Sequence, residues 1–325
     1  MPDTHDDWRP GRSCPLHYRY LPKVFARAPD LVADTLYIVG GLYGNPFALS
    51  EILDMAAREP GPTALVFNGD FNWFDVEAAT FEAVNRTVLA HTALRGNVET
   101  ELASDDSAGG CGCGYPDSVS DADVARSNAI LEQLRGTSLQ FPELRARLSA
   151  LPMHAVAQVG GLRIGIVHGD AESLAGWGFD AKALDDATQR GTLDAWFDAA
   201  RVDGFASSHT CLPALRKYSG AADDLWVINN GAAGMPNFSG TAFGVVTRIA
   251  TRPPAPRTSL YGFQSEGAAV DALPVRYDQT RWLEYFLAAW PPGTPAHASY
   301  HARIVHGPAY SPEQAAPRGA PQQAA

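Results

Sequence analysis

The chain has 325 residues, with 36 Asp and Glu against 25 Lys and Arg, for a net charge of −11 at pH 7. That length allows one large α/β domain or two small ones, and the acidic balance argues against nucleic-acid or anionic-membrane partners, both of which need a basic face. No run approaches the ~18 apolar residues of a membrane span, the polar N-terminus lacks the apolar stretch of a secretory signal, and four cysteines, two in a Gly-Cys-Gly-Cys-Gly cluster, do not form a secreted disulfide framework. A cytoplasmic protein is expected. A small phosphorylated substrate stays compatible with the charge, since a metal ion or a local dipole outweighs a distant net charge.

Residues 1–34, rich in Pro and Arg and without periodicity, read as an N-terminal arm wrapping the domain that follows. From Thr35 the pattern is strand-like in TLYIVGG, and a Gly-Asn turn leads to the helical stretch FALSEILDMAA. TALVFNGD (63–70) is a continuous apolar run ending in polar residues, the mark of a buried strand. FDVEAATFEAVNRTVLAHTA reads as an amphipathic helix and ALRGNVE as the next short strand. This alternation predicts βαβ units around a buried sheet, an α/β fold.

Residues 100–120 form a Gly- and Asp-rich stretch that reads as a long loop. Helices are expected near 121–135 and 141–150. Two apolar strands then flank Gly160-Gly161 in MHAVAQVGGLRIGIVHGD, a hairpin signal. A helix near 180–201 and the strands GFASSH, LWVINNG and TAFGVVTRIA follow. The domain is expected to span 35–307, with 255–307 an extension packing on it. The Pro-, Gln- and Ala-rich segment 308–325 reads as a disordered tail.

Polar residues recur where these strands end: Asp70, Asn97, His168 and His209. Open α/β sheets place ligands at the carboxyl ends of strands, so the four can converge. One carboxylate, one amide oxygen and two imidazoles suit Zn²⁺, Mn²⁺ or Fe²⁺. Singly, each has a plainer reading, the Asp as a cap and each His as an interior residue. In order, FNGD, RGNVE, IVHGD, SSHT and NNGAAG resemble the calcineurin-like metallophosphoesterases over about Thr35 to Ile249. The resemblance implies two packed β-sheets flanked by helices, a four-layer sandwich, with metals at the strand ends that activate water for attack on phosphorus.

The resemblance also implies where this chain departs. The family's Asp-x-His-Gly-Asn is here Gly41-Leu42-Tyr43-Gly44-Asn45, its Gly-Asn-His is Gly96-Asn97-Val98, and its Gly-His-x-His is Ser208-His209-Thr210-Cys211. Asp70, Asn97, His168 and His209 match a full set for one metal, while most ligands for the other are gone. Val98 replaces the imidazole usually assigned to the leaving group, which points to a phosphodiester or an activated ester. One expectation is that Cys111, Cys113 and Cys211 rebuild the lost site with Asp70, giving one or two metals per chain. The alternatives are a flexible loop, a redox pair or an independent metal clip for Cys111 and Cys113 and a small buried thiol for Cys211, with Tyr43 filling space rather than ligating.

Asn45, Asn230 and Tyr43 are candidates for substrate contact, the second through the turn NNGAAGMPNF. Arg95 reads as a phosphate holder or an ion-pair partner, and Glu99 as a substitute acid or a surface salt bridge. Trp177 and Phe179 read as stacking or core aromatics. Asn85 begins an idle glycosylation pattern, and His297, His301 and His306 have a spacing that fits no single helix face. The function expected is a metal-dependent phosphoesterase-like hydrolase acting on a small phosphorylated substrate. The alternatives are a non-catalytic binding protein on the same fold, or a thiolate–metal protein with other chemistry.

Overall fold

The computed structural model describes residues 8–106, 108–219, 224–255, 258–265 and 267–317. Among the described residues, twelve strands form two six-stranded sheets. One sheet has the order β1 (Leu31–Val32), β5 (His154–Val159), β6 (Leu162–Val167), β7 (Gly204–Ser207), β9 (Asp224–Asn230), β8 (Pro213–Ser219). The other runs β11 (Tyr261–Ser265), β12 (Ala268–Val275), β10 (Gly244–Ala250), β2 (Thr35–Val39), β3 (Thr63–Asn68), β4 (Thr92–Leu94).

Side chains alternate along a strand, and that alternation builds the layers. Leu36 and Ile38 of β2 face the other sheet and pack in one cluster with Val66, Leu94, Ile164, Ile166 and Ile228. Tyr37 and Val39 face the opposite way, into a second cluster. That cluster takes in α1 (Pro46–Ala57), α2 (Ala78–Val88) and α8 (Gln279–Ala289), and includes the buried Trp282 and Phe286. On the outer face of the first sheet, Val156, Phe205 and Val227 pack against Leu193 and Phe197 of α7 (Arg190–Ala200) and against Phe25 of the arm. The result is helix, sheet, sheet, helix, the sandwich expected. Because β2, β3 and β4 pair in parallel, their carboxyl ends lie on one edge. β6, β7 and β9 are likewise parallel.

Several expectations are corrected. Asn97 does not end a strand; it opens α3 (Asn97–Ala103), with Gly96 as N-cap. The stretch 180–201 breaks into α6 (Ala181–Asp185), a 3₁₀ turn and α7. Strand β8 carried no clear apolar run and escapes the sequence reading. Residues 255–307 both extend the second sheet and cover it, through β11, β12, α8 and α9 (Pro295–His306). The segment from 308 to 317 is ordered: Ala315 is fully buried, and Arg216 donates to the carbonyls of Gln314, Ala315 and Ala316. Residues 318–325 of the expected tail lie outside the described residues. Residues 1–7 of the expected arm lie outside the described residues; within the rest, Tyr18 is buried with its hydroxyl donating to Glu101, and Leu31–Val32 adds β1 to the first sheet. Among the described residues no helix is long and apolar enough to cross a membrane.

Candidate metal centre

The loops leaving β3 and β6, the start of α3 and the loop after β7 bring Asp70, Asn97, His168 and His209 together. All four are buried. Asp70 sits in the left-handed region, at φ 50°, which Asp tolerates better than most residues. Its turn is held from below by Glu99, whose carboxylate accepts from the backbone N–H groups of Asp70 (2.8 Å), Phe71 (3.0 Å), Asn72 (3.2 Å) and Gly96 (2.9 Å). Glu99 is therefore neither a replacement acid at the site nor a surface salt bridge; it is the fully buried anchor of the Asp70 turn. The Val98 N–H donates to Asp70 Oδ1 at 3.2 Å. The chain passes so close here that a Cβ on Gly96 would lie 2.2 Å from Asp70 Oδ1, which is why only glycine fits.

The hydrogen bonds fix which atom each ligand presents. His168 Nδ1 donates to the Asn68 carbonyl at 3.0 Å, so Nε2 carries the lone pair. His209 Nε2 donates to the Cys113 carbonyl at 2.9 Å, so Nδ1 carries its lone pair. Asn97 Nδ2 donates to the Cys111 carbonyl at 2.9 Å, turning Oδ1 inward. Around His168 Nε2 stand Asn97 Oδ1 at 3.1 Å, His209 Nδ1 at 3.1 Å and Asp70 Oδ2 at 3.2 Å. A proton on His168 Nε2 can serve one of these acceptors at a time, whereas a cation serves every lone pair at once. The donor set of one carboxylate, one amide oxygen and two imidazoles fits a divalent transition metal, and each imidazole has the backbone partner that metal-bound histidines usually have. Asp70, His168 and His209 form the one group of three or more His, Cys, Asp or Glu among the described residues whose ligand atoms all lie within 4.8 Å of one another.

Electrostatics draw positive charge to the centre: burial lowers the His168 pKa, but the Asp70 carboxylate outweighs it and holds the ring above its ordinary value, so Nε2 faces Asp70 with a proton or a cation. Burial pushes the His209 pKa down to about 3, and neighbouring His168 pushes the same way, so the ring stays neutral. Burial opposes ionisation of Asp70, but the His168 and His209 rings and the Val98 N–H outweigh it and hold the carboxyl below its ordinary value.

The sulfurs take other places. Cys111 and Cys113 are bonded to each other, and Cys211 Sγ meets the Tyr43 hydroxyl at 2.8 Å. The three do not converge on Asp70. What the Gly-Cys-Gly-Cys-Gly loop gives the site is two carbonyls, from Cys111 and Cys113, which aim Asn97 and His209. Cys113 Sγ is 3.6 Å from Asn97 Nδ2, so the loop does border the centre without turning a sulfur onto Asp70.

The candidates for substrate contact divide. Asn45 is fully buried as the N-cap of α1, accepting from Phe47 and Ala48 N–H and donating to the Gly234 carbonyl. Asn230 is also interior, its amide bridging the Gly40 and Val245 carbonyls. Tyr43 does lie beside the centre, next to Cys211. Trp177 borders it too, with its ring 5.5 Å from His209 and its Nε1 donating to the Cys113 carbonyl, whereas Phe179 is core. Arg95 reaches the Ser149 carbonyl. Asn85 is buried, donating to Asn72 Oδ1 and the Phe81 carbonyl. His297 and His301 stack on each other, ring centroids 4.4 Å apart.

The sequence reading missed Asn68, Ser208 and Asp170. Asn68 supplies the carbonyl for His168, and Ser208 Oγ donates to that same carbonyl at 3.0 Å. Asp170 shapes the loop after His168 by accepting from the Glu172, Ser173 and Gly178 N–H groups. Their position beside motif residues was the one available signal.

No protein-family model matches the sequence, and no curated protein does. Solved structures do. A metallophosphoesterase from Sphaerobacter thermophilus superposes with a TM-score of 0.54 at 17% identity, over 84% of this chain and 100% of that one. A hypothetical protein from Pyrococcus horikoshii superposes with a TM-score of 0.55 at 15% identity, over 86% of this chain and 100% of that one. With two six-stranded sheets, flanking helices and a buried Asp-His-His group at the strand ends, the chain has the fold of the calcineurin-like metallophosphoesterases.

Proposed function

We propose that this protein is a metal-dependent phosphoesterase-like hydrolase that works with one divalent transition metal, Mn, Fe or Zn. Asp70, Asn97, His168 and His209 hold the metal. The observation that carries the reading is the convergence of three lone-pair atoms on a fourth, His168 Nε2, at 3.1–3.2 Å. Such a metal would supply an activated water for attack on a phosphorus atom. The chain's own residues do the rest. Glu99 and Val98 N–H fix the Asp70 carboxylate, and the Cys111 and Cys113 carbonyls keep Asn97 and His209 turned inward. Trp177 packs its ring edge-on against His209, 5.5 Å between centroids, and Tyr115 lies 6.0 Å from Trp177 in turn, so an aromatic flank backs His209. Val98 offers no proton to a leaving group, so the substrate class favoured is a phosphodiester or an ester with a good leaving group. A screen of chromogenic phosphomonoesters and diesters with Mn²⁺, Fe²⁺ and Zn²⁺ tests the reading. Turnover lost in His168→Ala is expected; no turnover with any metal, in protein that binds the metal, contradicts it.

That same Val98 favours a second reading, a scaffold that binds a small phosphorylated molecule without cleaving it. Metal-dependent binding of a diester without turnover is its signature.

A further inference from the structure

Beside the four lone-pair atoms the fold builds a corner of opposite character from Gly41, Tyr43 and Cys211. Tyr43 and Cys211 both adopt left-handed backbone angles, φ 55° and 62°, uncommon for any residue but glycine and kept only where the surrounding structure enforces them. Gly41 is itself at φ 63°, and a Cβ there would lie 2.9–3.0 Å from Cε2, Cζ and the hydroxyl oxygen of Tyr43. The phenol ring folds back over residue 41, so any larger residue at 41 would have to displace it. Glycine at 41 and tyrosine at 43 are one steric solution.

The Tyr43 hydroxyl has, among the described residues, a single hydrogen-bond partner, Cys211 Sγ at 2.8 Å. Cys211 Sγ also lies 3.3 Å from the His209 carbonyl, which accepts the thiol proton and leaves the phenol proton to point at sulfur. Sulfur is a weak acceptor, so this buried O–H is free to turn to a better one. Arg303 anchors the corner, its Nε donating to the Pro236 carbonyl at 3.1 Å and its Nη2 to the Cys211 carbonyl at 2.6 Å. Where the neighbouring quartet offers lone pairs, this corner offers a donor backed by a guanidinium.

We propose that the corner is the anion half of the site: the chain holds one metal ion, and the Tyr43 hydroxyl donates a hydrogen bond to a non-bridging oxygen of a phosphoryl group bound at that metal. The inference rests on the metal-dependent reading above. The bond transfers no proton; it places a donor where charge accumulates on the phosphoryl oxygens, a role that preorganised donors perform in many active sites.

The test uses inorganic phosphate, titrated calorimetrically into the Mn²⁺-loaded full chain, with metal per chain measured in parallel. Tyr43→Phe keeps the ring on Gly41 and removes the donor. Phosphate is expected to bind about 10- to 100-fold more weakly in Tyr43→Phe, the range for a hydrogen bond to a charged group, with the metal content unchanged at one equivalent. Unchanged phosphate affinity with one metal bound overturns this inference and leaves the metal-site reading standing. Two tightly bound metals in the wild type also overturn it, because the second would need the space the phenol fills. No metal and no phosphate in the wild type overturn both readings. The wild-type stoichiometry needs no variant, so it decides even where the substitution disturbs folding.

Discussion

Two adjoining regions of one strand edge were built on opposite chemical plans. Around His168, every side-chain polar atom that turns inward is an acceptor, and every donor is directed outward to a backbone carbonyl. Around Tyr43, the inward atoms are a phenol and a thiol, each still carrying its proton. Burial pushes the Cys211 thiol up from its ordinary pKa, with only partial relief from Arg303, and pushes the Tyr43 phenol well above its own, with Cys211 adding to it. On the reading proposed above, a cation has one favourable place and not two. The comparison teaches that Gly41 and Tyr43, where the resemblance puts ligands of another metal, leave the neighbouring set intact: one region gathers acceptors that lack a shared donor, the other a donor that lacks a strong acceptor.

Removing a ligand should break the contrast most. Asp70→Ala or His168→Ala is expected to take metal content from about one equivalent to near zero. Loss of an outer partner alone typically costs 10- to 100-fold in metal affinity, and loss of a ligand should exceed that. Plasma mass spectrometry after gel filtration checks it, and retention of a full equivalent would show that the ion sits elsewhere.

Glu99→Ala should come next, and as a stability effect. It strips the acceptor from four backbone N–H groups, and a buried donor left unsatisfied costs about 1–3 kcal/mol. Allowing for relaxation, a loss of about 3–5 kcal/mol in urea unfolding is expected, along with weakened metal binding as Asp70 loosens. A loss below 1 kcal/mol would mean that water reaches the Asp70 turn.

On the Tyr43 side, a pH effect sharpens the picture. Phe74 N–H donates to the Tyr43 carbonyl, and the adjacent Asp75 is buried with Oδ2 unpartnered. Burial, only partly offset by the Trp73 N–H, raises its pKa to about 7. An unfolded Asp titrates near ~4, so the folded chain holds this proton more tightly. That contribution to stability is fully present below pH ~4 and is lost as pH rises through about 7. Asp75→Asn should flatten this part of the stability–pH curve. An unaltered slope between pH 4 and 7 would assign it to other groups.

The smallest effect is expected from the sulfurs. Since carbonyls rather than thiolates aim Asn97 and His209, the double variant Cys111→Ser/Cys113→Ser should keep its metal and change affinity by less than about tenfold. A drop to half the metal content would restore the sulfur-ligand idea.

What the sequence made legible follows from what strand ends expose. Asp70, His168 and His209 end apolar runs or follow them directly, so periodicity located them, and the order of short motifs supplied the fold. Asn97 was found for the wrong local reason, because the three-residue β4 ends at Leu94 only two residues before the Gly96 N-cap, and ALRGNVE reads as one strand. The function of Glu99 was invisible because its partners are backbone N–H groups of residues 70–72, distant in sequence. Proximity of the Gly-Cys-Gly-Cys-Gly loop to the centre was legible, but which atoms it turns inward was not: side-chain direction in a Gly-rich loop is set by tertiary contact. Tyr310, whose hydroxyl donates to the Pro213 carbonyl, and the buried Ala315 show the same limit at the C-terminus, where a few well-placed contacts order a segment whose composition argues for disorder.

The most direct test of this account is metal per chain, measured on protein purified without chelator under reducing, oxygen-free conditions. One equivalent of a divalent transition metal, lost in His168→Ala and unchanged in Tyr43→Phe, is the result predicted. No metal, or two equivalents in the wild type, would contradict it.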